Sequence, residues 1–263
     1  MSLPVRFSTV RSLLKEISVS AQADRPLVVG GARALVPTLR AKLGAGAESV
    51  GGPRGAGDDP RGAAIYVHVW AGDGSDEEAL KRARRARVPV VAVVPEEIDD
   101  VPYVLATDVV RLHPGEGFPI PVIARTIAAR LGEEGAPLAA HVPVLRPAVA
   151  ERLIESFARR NAVIAAAVFV PGVDLPILLR NELRLVLRLH QTYGRSPDPR
   201  ERLSEVGATV GAAFALRTVA RELLDLVPVA GWAVKGAVAY AGTRAVGEAA
   251  LRRLQAGASR DAP

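Results

Sequence analysis

Short apolar runs alternate with helically spaced segments through residues 25–135, whereas helical spacing alone continues from 147 to 255. The runs PLVVGG (26–31), AAIYVHVW (63–70) and VPVVAVVP (88–95) read as strands, and VPYVLA with DVVRL (101–112) as shorter strand-like pieces. Between them, 33–43 and SDEEALKRARRAR (75–87) read as helices. Ser75 is the expected cap of the latter, and Asp76, Glu77 and Glu78 suit its positive N-terminus. FPIPVIARTIAARL (118–131) leads into a further helix. Strands separated by helices predict an α/β domain, a small parallel sheet covered on both faces. The Gly-rich stretch 44–62 predicts a loop. GEEGAPLAAHVPV (132–144) predicts a linker, which sets 136–146 as the join between domains.

In the second half four helices are expected, over 147–170, 174–193, 199–227 and 229–254. PGVD (171–174) makes the first turn, with Asp174 as a cap and Pro176 in the first turn of the next helix. YGRSPDP (193–199) makes the second, with Asp198, Pro199 and Glu201 in the positions of a capping box. Pro228 separates the third helix from the fourth. Short links predict antiparallel neighbours in an all-α domain, 147–255, followed by a disordered tail, 256–263. Ahead of the sheet, residues 1–24 hold an amphipathic helix with Phe7, Val10, Leu13, Leu14 and Ile17 on one face. That face is suited to docking on the next domain or to a membrane surface.

Composition narrows the chemistry. None of the 263 residues is Cys, which removes disulfides, thiolate metal sites and cysteine nucleophiles and fits a reducing compartment; no secretory signal opens the chain. His68, His113, His141 and His190 are scattered without ligand spacing, so no metal site is expected, and His68, in mid-strand, reads as a core histidine. Asp58-Asp59 and Asp99-Asp100 read as solvated loop acids, and no nucleophile motif appears, so no catalytic residue and no small-molecule substrate is identified. The net charge of +6 lies wholly beyond residue 140: residues 1–140 carry 17 basic and 17 acidic side chains, residues 141–263 carry 17 and 11. Such an excess attracts anionic surfaces. Aromatic residues make up only 4%, too few for the stacking platforms of single-stranded nucleic-acid binding, so no nucleic-acid partner is expected.

A strand running into glycines and then a helix is where nucleotide-binding proteins hold phosphate on backbone N–H groups. Here the run is Gly30-Gly31-Ala32-Arg33-Ala34-Leu35-Val36-Pro37-Thr38. The second glycine, the lysine and the adjacent hydroxyl of the phosphate loop are missing, and the third strand ends Val93-Val94-Pro95-Glu96 where a guanine-reading loop would stand. The order of elements over 25–135 resembles a worn-down small GTPase domain of the Era-like type. Gly30, Gly31 and Arg33 are then a vestigial phosphate loop, and no cofactor is expected. A divergent GTP-binding protein with weak or no hydrolysis is the alternative.

In the helical half, 162–170 and 175–179 are apolar and flank the PGVD turn, which makes a hairpin with an apolar tip. Arg180, Arg184 and Arg188 recur every four residues beyond it, either a solvated face or a contact for anionic headgroups or a partner. Gly207, Gly211, Gly231, Gly236, Gly242 and Gly247 predict close backbone approach between helices. Leu226–Thr243 carries one charge, Lys235, and is a marginal candidate for a membrane span. The segments 170–194 and 223–251 resemble the bacterial domain of unknown function 697, the YcjF-like family often found behind GTPase domains. The signature residues are Pro171, Gly172, Asp174, Pro176, Tyr193, Gly194, Pro228, Gly231 and Lys235. The resemblance implies a bacterial pseudo-GTPase that is a non-catalytic scaffold or partner-binding module. It implies a place on the cytoplasmic side of the inner membrane, peripheral or hairpin-inserted, or else in the cytoplasm. A protein partner or self-association and an anionic membrane surface are the expected contacts. A soluble oligomeric helical scaffold is the second alternative.

Overall fold

The computed structural model describes residues 25–44, 59–167, 175–195 and 231–260. The chain divides into two compact units, one spanning Ala23–Arg152 and one from Leu153 onward. The N-terminal helix, the PGVD turn, the helix expected over 199–227 and Pro228 lie outside the described residues.

The first unit is α/β. Its strands are β1 (Leu27–Gly31), β2 (Ile65–Val69), β3 (Val90–Pro95) and β4 (Val109–Leu112). All pair in parallel, in the order β1-β2-β3-β4, with Val29 beside Val67, Val67 beside Val91 and Val93 beside Val110. β2 and β3 are buried on both faces, which is why they read as unbroken apolar runs rather than alternating ones. β4 lies at an edge, and its Arg111 is exposed. The helices are α1 (Val36–Gly44), α2 (Ser75–Arg85), α3 (Ile120–Leu131) and α4 (Gly135–His141). α2 covers one face, where Leu80 and Ala83 pack with Val28, Tyr66, Ala92, Val94 and Val101. Leu27, Val29, Val67, Val91 and Val93 point the other way and are equally buried; α1 and α3 are the helices that reach the strands there.

Three expectations change at this level. VPYVLA is not a strand: Pro102 and a left-handed Tyr103 turn the chain, and only Val109–Leu112 joins the sheet. The helix expected from residue 33 starts at Val36, because the amides of Leu35 and Val36 both donate to the Ala32 carbonyl and close a turn first. The segment expected as a linker is helical over 135–141 and again, as a 3-10 turn, over 143–145. Leu138, Val142 and Leu145 form a buried stripe at helical spacing, and Gly135 lets Val149 approach to within 3.3 Å of where a Cβ would be. The boundary between units therefore falls at Arg152, inside α5 (Arg146–Ala167).

The second unit is helical, with the last part of α5, then α6 (Leu175–Thr192) and α7 (Gly231–Arg260). α6 ends in a Schellman motif: Gly194 sits at φ +68°, its amide donates to Gln191, and the Arg195 amide donates to His190. α7 continues through residues 256–260, expected as a disordered tail, because the Ala-rich sequence meets no proline before Pro263. At Gly247 a Cβ would lie 2.7 Å from Ile154 Cγ1 and 3.2 Å from Leu185 Cδ2, and at Gly236 3.3 Å from the Ala162 carbonyl. These two glycines are where α7 approaches its neighbours most closely among the described glycines of that helix that face apolar or backbone atoms. Among the described residues no helix is long and apolar enough to cross a membrane.

Candidate functional site

The turn after β1 is where phosphate would be held, and its first amide, that of Ala32, is already committed. Gly31 has φ +104°, and a Cβ there would lie 1.9 Å from the carbonyl oxygen of Val69. The amide of Ala32 donates to that same oxygen at 2.8 Å. The chain leaving β1 thus folds down onto the end of β2, and the N–H that opens a phosphate cradle serves the sheet instead. Gly30 backs onto Tyr66, whose hydroxyl would lie 2.5 Å from a Cβ. Arg33 is exposed, and its charge acts on the carboxylate of Asp73. Asp73 is held below the usual carboxylate range, first by hydrogen bonds from the Ser75 hydroxyl and amide and then by the Arg33 charge. Ser75 is therefore not the cap of α2: it is the first helical residue and donates to Asp73, the stronger acceptor. Among the described strands the order has no reversal.

Beside this turn lies a buried polar chain. His68 Nε2 is 2.7 Å from Asp76 Oδ1, and His68 Nδ1 is 3.2 Å from the Tyr66 hydroxyl. Nε2 is thus the ring nitrogen turned to the carboxylate and Nδ1 the one turned to the Tyr66 hydroxyl. Asp76 also accepts the amides of Ala71, Gly72 and Asp73, so one carboxylate pins the whole β2–α2 loop. All three side chains are at most 1% exposed. Closed off in this way, the chain orders the loop and offers no substrate access; His68 is the core histidine its strand position suggests.

At the opposite end of the strands lies a cavity of about 240 Å³. It is built from the C-terminal ends of α2 and α3, the start of β3 and the turn after Val101. Arg84, Arg87 and Arg130 surround it, with Tyr103, Leu105 and Asp108. Arg87 caps α2 in a left-handed conformation, φ +55°, its amide donating to Arg84 and that of Val88 to Ala83. Tyr103 is also left-handed, φ +66°, and the Arg84 guanidinium lies 5.3 Å from its ring centroid. Asp108 is buried and holds Arg130 at 3.5 Å.

In the helical unit the arginine stripe winds out of solvent. Arg180 is exposed, Arg184 half-buried, and Arg188 only 5% exposed with a 2.8 Å hydrogen bond to Gln191. Steps of four residues rotate about 40° beyond a full turn at 3.6 residues per turn, enough to carry Arg188 to the packed side. Of the three expected surface contacts, only Arg180 is exposed. Near the ends of α5 and α6 that flank the PGVD turn, Val163 and Ile177 are 68% and 47% exposed. Of the signature residues, Pro176 is the second residue of α6, Gly231 the first of α7, Lys235 half-buried in α7, and Tyr193-Gly194 the end of α6; Pro171, Gly172, Asp174 and Pro228 are outside the described residues.

Polar residues that the pattern did not single out cross-link these helices. Asn161 accepts from Asn181 at 2.8 Å and donates to Thr243 at 2.9 Å, and Thr243 donates to Glu182 at 3.3 Å. Asn161, Glu182 and Thr243 are at most 1% exposed. Nearby, Glu155 accepts from Tyr240 at 2.6 Å and pairs with Arg159 and Arg244. The Tyr240 hydroxyl, then Arg159, hold its carboxyl below the usual range.

No family model, curated protein or solved structure matches the chain. Among the described residues no group of His, Asp and Glu could hold a metal ion. Single-letter periodicity could not find Asn161, because its partners lie on other helices, and it placed Asp76 at the start of α2 without its bond to His68 on β2.

Proposed function

We propose that this chain is a non-catalytic binding module, a pseudo-GTPase-like sheet unit joined to a YcjF-like helical unit that contacts a protein partner or an anionic membrane surface. One observation carries the first half: the turn after β1 spends its amide on Val69 and packs Gly31 against that carbonyl. Triphosphate bound there would find the Ala32 amide already taken and no lysine, and phosphoryl transfer would lack its electrostatic support. The exposed Val163 and Ile177, with Arg180 beyond them, support a surface contact at that end of the helices, peripheral rather than spanning for the described part of the chain.

Titration with a fluorescent GTP analogue and Mg²⁺ tests the first half; saturable micromolar binding would restore the divergent GTP-binding alternative. Co-sedimentation with phosphatidylglycerol-containing vesicles tests the second. Binding should fall in a Val163→Asp, Ile177→Asp, Arg180→Gln variant. A chain that ignores vesicles and elutes as a discrete oligomer would instead be the soluble scaffold.

A further inference from the structure

We propose that the cavity between Arg84, Arg87 and Arg130 is a binding site for a phosphate monoester whose organic part rests on Tyr103. This site is independent of the turn after β1 and lies at the other end of the strands.

Four observations converge on it. Three arginines line one cavity, and its lining includes a single acidic residue, Asp108, which is buried and already holds Arg130. A second carboxylate, Glu77, stands at the rim, where it accepts from the Tyr103 hydroxyl at 3.4 Å. Set against three arginines, these two acids leave a positive surplus, carried by Arg84 and Arg87. Guanidinium forks match phosphate oxygens bidentately, and Arg is favoured over Lys where that geometry matters. Next, the only two left-handed non-glycine residues among those described, Arg87 and Tyr103, both line this cavity. A glycine would serve the cap of α2 without strain, yet an arginine stands there. Strain retained at two positions of one site points to the side chains as its reason. Tyr103 and Leu105 are 42% and 59% exposed, so an aromatic face and an aliphatic side chain border the charge. Finally, at about 240 Å³ the cavity lies below the range of whole-cofactor pockets, about 300–1,000 Å³, and suits a phosphate with a small ring or the phosphorylated end of a longer ligand.

The test uses the full chain and two probes, phenyl phosphate and inorganic phosphate, followed by the arginine side-chain N–H and tyrosine ring resonances in NMR titrations. Phenyl phosphate should give saturable shifts at Arg84, Arg87 and Tyr103. Arg84→Gln and Arg87→Gly should each weaken it about tenfold, the loss of one charge-assisted hydrogen bond in a partly exposed site. Arg87→Gly relaxes the left-handed cap, so its unfolding midpoint should be at or above that of the parent, and lost binding in it cannot be lost folding. Tyr103→Ala should weaken phenyl phosphate and leave inorganic phosphate unchanged. Equal affinity for both probes in the parent would overturn the role of Tyr103. Shifts that fail to saturate, or that persist unaltered in Arg84→Gln and Arg87→Gly, would overturn the site.

Discussion

Replacing Gly31 with alanine tests the claim that this glycine serves the sheet. The new methyl carbon would sit 1.9 Å from the Val69 carbonyl oxygen, well inside the about 3.3 Å at which carbon and oxygen normally meet. The turn must lift off β2, which breaks the Ala32–Val69 hydrogen bond in a buried setting, at about 1–3 kcal/mol. An L-residue at φ +104° adds about 1–3 kcal/mol of backbone strain. Together these reach about 2–6 kcal/mol, a large share of the about 5–15 kcal/mol that holds a typical domain folded. Gly62 is the control: it too has positive φ, +77°, but nothing lies within 4 Å, so Gly62→Ala should cost only about 1–2 kcal/mol. Urea unfolding can be followed by Trp70 fluorescence in a Trp232→Phe background, which leaves one tryptophan, set edge-on to His68. If Gly31→Ala lowers stability no more than Gly62→Ala, the turn is open after all, and the argument against nucleotide binding loses its footing.

Three further outcomes are expected. Gly247→Ala should destabilise by about 1–2 kcal/mol in thermal unfolding, since overpacking against Ile154 and Leu185 exceeds the helix-propensity gain of about 1 kcal/mol; Gly257→Ala, facing only the movable guanidinium of Arg195, should stabilise. Asp76→Ala strands His68 Nε2 and three loop amides and should cost about 3–5 kcal/mol in urea unfolding, with Asp76→Asn costing less; equal and small effects would show that the loop is held some other way. His113 is raised above its ordinary range by the hydrogen bond it donates to Glu96 and then by the charge of Glu96. A raised histidine contributes stability that is complete below its unfolded pKa, about 6.5, and is lost as pH rises through the folded value. Glu96→Gln should therefore lower the His113 titration midpoint in NMR and remove that stretch of pH dependence.

The chain's apolar runs were sufficient to establish the α/β unit and the helical unit after it, because a strand buried on both faces must be apolar at successive positions and a packed helix must be apolar at intervals. Local signals were equally direct at Tyr193-Gly194, where a glycine able to adopt positive φ ends α6. Segment 132–144 misled, because Gly and Pro are also used inside short packed helices, and only the burial of Leu138 and Val142, with Leu145 just beyond, reveals that use. The arginine stripe misled for a related reason: spacing gives the angle between Arg180 and Arg188, not which side of α6 its neighbours cover. The Asn161–Thr243 bond and the cavity beneath Tyr103 belong wholly to the tertiary structure. Each joins residues whose distance along the chain carries no information about their distance in space, and folding alone brings their charges and hydrogen-bonding groups within reach of one another.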